Sequence, residues 1–156
     1  MFKIKKVNAH CDIPCKVYDP AVSQYSTLSI IRFIDLINEI DLSNLSLNNM
    51  MQLSRLTSVK EEHAIEVKKE ISTIWGDYFK DTQIDKYPEI HSLVHSIMQD
   101  ASKCKQTSDR ISAEKLLNNI NRFTEIFWAT KDINTKYFIS PYPPNLKIAC
   151  PVLKIA

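Results

Sequence analysis

The sequence predicts an all-α fold, an antiparallel four-helix bundle entered through a short hooked segment. Four apolar stripes recur at helical spacing, the chain holds one glycine, and its seven prolines fall between or beyond the stripes. A length of 156 residues suits one core rather than two. With Gly76 alone, glycine-rich phosphate loops and hairpin turns that need positive φ have almost no material.

The elements follow in order. Residues 1–9 are short and basic and end in Ala9. Pro14 and Pro20 then exclude a regular helix over residues 10–20, which reads as a hook or loop. Ile30, Phe33, Ile34, Ile37 and Ile40 make the first stripe. The stretch 41–49 is rich in Ser and Asn that bond their own backbone, so it reads as a connection. A second helix runs from about Met51 to Lys80, with Leu53, Leu56, Ala64, Val67, Ile71, Ile74 and Tyr78 along one side. Pro88 suits a first helical turn, and Ile90, Leu93, Val94, Ile97 and Ala101 form the third stripe. After a polar turn over 103–110, Ser112 or a neighbour caps a fourth helix carrying Ala113, Leu116, Leu117, Ile120, Phe123 and Phe127. Pro141, Pro143, Pro144 and Pro151 rule out a long fifth helix in the tail 132–156, whose reading is exposed packing.

Hydrophobic residues at 44% and charged residues at 24% are ordinary for a globular chain, and a net charge of +2 argues against a nucleic-acid surface. No apolar run is long enough for a bilayer, and residues 1–9 lack the apolar stretch of a secretory signal. A cytoplasmic protein with reduced thiols is the expectation, with no membrane and no nucleic acid among its partners.

Chemistry concentrates at His10, Cys11 and Cys15, with Asp12 and Tyr18 beside them. Two thiolates spaced C-x3-C can chelate one soft or borderline metal ion, and they equally suit structural thiols, half of a zinc site or a redox pair. Cys104 and Cys150 are too remote in sequence to be obvious partners. Cleavage after Ala9 would sharpen the choice, because His10 would then offer a free α-amine and an imidazole. That amine, the Cys11 amide nitrogen and two thiolates compose a planar N2S2 set of the kind expected for nickel or copper. Elsewhere, His91 and His95 read as solvated or packing residues and His63 as a surface or supporting one. Trp75, Phe79, Phe127 and Trp128 read as core, and the runs Lys60-Glu61-Glu62 and Lys68-Lys69-Glu70 as a solvated face.

The run His10-Cys11-Asp12-Ile13-Pro14-Cys15-x-Val17-Tyr18-Asp19-Pro20-Ala21 resembles the nickel hook of nickel-containing superoxide dismutases. Further similarity lies in Trp75-x-Asp77-Tyr78-Phe79-Lys80, in Tyr87-Pro88-Glu89-x-His91-x-Leu93-Val94 and in Phe127-Trp128-x-Thr130-Lys131. The resemblance implies an enzyme that disproportionates superoxide to dioxygen and hydrogen peroxide at one nickel ion per subunit. It also implies a leader, residues 1–9, removed by a maturation peptidase; a dismutase domain, 10–131, with an N-terminal metal-binding hook; an extension, 132–156; and a cytoplasmic homohexamer. The His10 amine and imidazole, the Cys11 amide and the Cys11 and Cys15 thiolates become the metal ligands. Tyr18 and Tyr78 would stand over the open face, with Asp12 and Lys80 shaping the approach of an anionic substrate. Three positions depart from the family pattern: Lys16 replaces a glycine, Ser26 a glutamate and His63 an arginine. The alternative is a non-enzymatic metal-binding helical module or a thiol redox protein using Cys11 and Cys15.

Overall fold

Pro20 opens the first helix as well as ending the loop before it. Its fixed φ of −67° is already helical, and the following backbone N–H, that of Ala21, donates to the Asp19 carboxylate at 2.9 Å. In this computed structural model, which describes residues 16–43 and 46–154, five helices occur in the order α1 Ala21–Asn38, α2 Leu47–Asp77, α3 Asp81–Lys86, α4 Ile90–Gln106 and α5 Arg110–Ala129. A two-stranded antiparallel sheet follows, β1 Thr135–Ile139 and β2 Lys147–Pro151. The chain is therefore mainly helical, as expected. The first helix begins well before the Ile30 stripe, and α2 begins at the Ser46 cap, whose hydroxyl accepts from Asn49 N.

The four long helices pack in a ring, with α1 against α2 and α5, and α4 against α2 and α5. Ile30, Ile31, Ile34, Ala64, Val67, Ile71, Ile97, Ala101, Leu116, Ile120, Phe123 and Phe127 are fully buried between them. These are mostly the predicted stripes. Ile31 joins them because α1 is buried by helices on two sides, which widens its apolar arc beyond a single stripe. Arg110 ties α5 to α1 by pairing with Asp35, and Asp109, not Ser112, caps α5 by accepting from Ile111 N at 3.0 Å.

Three expectations are corrected. A short helix, α3, follows Lys80, in addition to the four helices that the apolar stripes predict. The tail forms a hairpin although glycine is absent from it: Asn145 supplies the positive φ, 56°, beside a cis Pro143–Pro144 bond. Lastly, Lys60 does not sit on a solvated face. It is 2% exposed, and its ammonium donates to the carbonyls of Cys104, Lys105 and Thr107, closing the end of α4. Burial holds its pKa below the ordinary lysine value. Lys60→Met keeps the aliphatic stem but leaves these carbonyls without their donor. It should lower stability by about 1–3 kcal/mol, the cost of unmade buried hydrogen bonds, read as an earlier denaturant midpoint.

Candidate functional site

His10, Cys11, Asp12 and Cys15 lie outside the described residues; the structure describes the chain from Lys16 onward. Directly after Cys15 the backbone of Lys16 takes φ 57°, in the left-handed region. That is the conformation a glycine adopts at least cost, and here a lysine takes it. From there Val17 is exposed and Tyr18 turns inward.

Tyr18 meets Tyr78, the residue that ends α2, with ring centroids 6.1 Å apart and tilted by 53°. The sequence-predicted pair is thus brought together from opposite ends of a 60-residue separation. Tyr78 is fixed from behind by Phe127, at 4.9 Å, and edge-on by Phe79, at 5.3 Å. Its hydroxyl lies 2.6 Å from Thr130 Oγ1, which itself donates to the Phe127 carbonyl at 2.6 Å. Because threonine has one hydroxyl proton and it is committed to that carbonyl, Tyr78 is the donor in the pair. The phenol oxygen therefore keeps a lone pair as an acceptor.

Lys80 is not drawn to the tyrosines. Its ammonium donates to the Gly76 carbonyl at 3.0 Å and its backbone N–H to Gln83 Oε1 at 3.1 Å, which serves the junction of α2 and α3. The cation over the site is Lys131, whose Nζ lies 4.7 Å from the Tyr78 ring centroid and 5.1 Å from that of Phe127. Sequence reading quoted Lys131 but gave it no role. Its position immediately after Thr130 was the available signal.

A second polar cluster gathers around Glu66, which sequence reading missed. Ser26 Oγ, on a residue 3% exposed, donates to Glu66 Oε2 at 2.6 Å, and His63 Nδ1 lies 3.4 Å from the same oxygen. Phe33 stacks on the His63 ring at 5.7 Å. Ser26 and His63, two of the three positions noted as departures in the sequence, are joined by a carboxylate from α2. His63 and Glu66 three apart on a helix was the signal. Glu66 precedes Tyr78 by twelve positions, so the two clusters stand about 18 Å apart along α2.

Among the described residues, no group of three His, Cys, Asp or Glu is arranged to hold a metal ion. His91 accepts from Trp75 Nε1 at 3.1 Å and His95 lies beside Gln99, so these two histidines serve packing and surface contacts. Cys104 is buried in the core, where desolvation pushes its thiol pKa up to about 11, and Cys150 is shifted upward by the same cause. Both stay protonated near neutrality and are poor thiolate donors. The other two cysteines, Cys11 and Cys15, precede the Lys16 turn in the sequence.

A family model described as nickel-containing superoxide dismutase matches residues 5–131. The chain is 36% identical over 126 residues to the nickel superoxide dismutase of Streptomyces seoulensis, covering 81% of this chain and 91% of that one. It is likewise 36% identical over 125 residues to the nickel superoxide dismutase of Streptomyces coelicolor, covering 80% and 90%. Its fold is similar to a native nickel superoxide dismutase structure, with a TM-score of 0.69 and 34% identity over 78% of this chain and 99% of that one. A structure with nickel ligation of the oxidised state gives a TM-score of 0.69 and 33% identity over 79% and 99%. The matched segment stops before the hairpin of residues 135–151.

Proposed function

The chain belongs to the nickel-containing superoxide dismutase family and is an oxidoreductase that disproportionates superoxide at nickel, and from that premise we propose how its own residues build the centre. His10, Cys11 and Cys15 hold the ion through the His10 amine and imidazole, the Cys11 amide and both thiolates, after residues 1–9 are removed by a maturation peptidase. Nickel bound by anionic sulfur and nitrogen donors supplies the alternation between two oxidation states that superoxide can drive in both directions. The observation that carries this placement is the Lys16 turn, which leads from the hook to a tyrosine pair already locked in position.

The rest is work done by the protein. Tyr18 and Tyr78 line the approach, and Tyr78, donating to Thr130, presents its oxygen as an acceptor to a protonated product or an ordered water. Lys131 contributes positive charge at this mouth, reinforced by Lys80 nearby in sequence, and so favours the encounter with a small anion. Asp12 tunes that field from the hook. Glu66, held by Ser26 and beside His63, forms a polar cluster separate from the tyrosine pair. The four long helices form an antiparallel four-helix bundle, six copies assemble as a homohexamer, and the enzyme works in the cytoplasm. No helix among the described residues is long and apolar enough to cross a membrane.

The alternative of a metal-storing helical module or thiol redox protein is not favoured, since the matched relatives are named as dismutases. The test is metal identity. Processed protein loaded with nickel should dismutate superoxide, and the same protein loaded with zinc should not, because zinc has no accessible redox step. Equal rates with the two metals would overturn the assignment. Tyr18→Phe, measured alongside, should retain nickel stoichiometry while turnover changes.

A further inference from the structure

The hairpin 135–151 lies beyond the family-matched residues, and its two edges are treated differently. Val152 N donates to Asn134 O at 2.8 Å and Ser140 N to Leu146 O at 2.9 Å. In the register Thr135↔Pro151 to Ile139↔Lys147, these bonds place the backbone groups of even-numbered residues between the two strands. Odd-numbered residues point outward. On β2 that outer edge is satisfied by side-chain amides: Ala149 N donates to Asn121 Oδ1 at 3.1 Å, Gln24 Nε2 donates to Ala149 O at 2.8 Å, and Asn121 Nδ2 donates to Lys147 O at 3.0 Å. On β1 the outward N–H and C=O groups of Thr135, Tyr137 and Ile139 meet no hydrogen-bond partner among the described residues. Tyr137, Phe138 and Ile139 are 50%, 54% and 56% exposed along the same edge. An open edge with an apolar surface and a single charge, Lys136, has little to keep other strands away.

We propose that β1 pairs antiparallel with β1 of a second copy about a two-fold axis through Tyr137, joining two hairpins into one four-stranded sheet. The occupant follows from self-complementarity. A two-fold axis normal to a sheet sets residues of equal parity opposite one another, so it must pass through a residue pair. Centred on Lys136, the pairing opposes two ammonium groups, which is unfavourable. Centred on Phe138, it carries Lys136 past the end of the strand to face Ser140. Centred on Tyr137, all five residues are paired and each Lys136 faces an aromatic ring, Phe138 of the second copy, within reach of a cation–π contact. The outward groups of Thr135, Tyr137 and Ile139 then face their counterparts and complete the ladder. Residues 132–156 lie outside the family-matched residues 5–131, and none of the residues in this contact is assigned to the metal centre.

Register-specific cross-linking tests it in the full processed protein. Tyr137→Cys should give a covalent dimer on mild oxidation, because paired Cα atoms at the axis lie about 5.5 Å apart. Ile139→Cys should not, its two copies being separated by four residues along antiparallel strands, about 14 Å. Adding Phe138→Lys should suppress the Tyr137→Cys cross-link, and Phe138→Lys alone should lower the mean mass in light scattering at the same concentration. Dismutase turnover should be unchanged in these variants, so a failed contact is distinguishable from a failed metal assignment. Equal cross-linking at 137 and 139, none at 137, or a mass unmoved by Phe138→Lys would overturn the pairing, including the case in which another segment or protein covers this edge.

Discussion

Cys11→Ser or Cys15→Ser will leave the protein folded but without retained nickel, and dismutase turnover will fall further than the 10- to about 100-fold typical when only the support of a metal ligand is disturbed. The reason is the donor atom. A serine hydroxyl stays protonated at neutral pH and cannot replace a thiolate in a set that must stabilise a higher oxidation state. The remaining cysteines provide the control. Burial pushes the Cys104 thiol up to about 11, so it takes no part as an anion, and Cys104→Ser should cost stability while leaving nickel stoichiometry intact. Metal analysis of the purified variants decides the matter, and stoichiometric nickel in either hook variant with full turnover would sink the ligand assignment.

Helix existence was legible because the apolar stripes are long and regular; helix limits and exceptions were not. Ile30, Ala64, Ile97 and Phe123 could be placed in the core from period alone. Lys60 could not, since its aliphatic stem and ammonium look like any surface lysine until three carbonyls at the end of a distant helix converge on it. The hairpin was hidden for a related reason. One glycine suggested no tight hairpin turn, yet Asn145 carries the positive φ, and the strand is held by Asn121 and Gln24 from helices remote in sequence. At the site, Tyr18 and Tyr78 were found through local motifs and do meet. That Lys131 lies over the Tyr78 ring while Lys80 Nζ bonds the Gly76 carbonyl depends on how α5 ends against α2, a tertiary fact that no local spacing carries. Glu66 was missed for the same reason, being meaningful only beside Ser26 of another helix.

Processing should act as an on-switch of comparable size. While residues 1–9 are attached, the His10 nitrogen is a peptide nitrogen and not an amine, so one planar ligand is lost and the hook cannot be completed. The helices and the Tyr18–Tyr78 contact are built from residues that follow the hook, so cleavage should change chemistry rather than fold. Mature, active protein is therefore expected to begin at His10, with an intact mass lower by the nine leader residues. A variant resistant to cleavage, made by Ala9→Pro, should show the same helical signal and thermal transition within a few degrees, yet retain no stoichiometric nickel and show no dismutase activity above free metal. Treating its purified precursor with a protease engineered to cut directly before His10 should then restore both on addition of nickel. Active protein that still begins at Met1 would remove the amine from the ligand set and return the Cys11 and Cys15 pair to a site built without it.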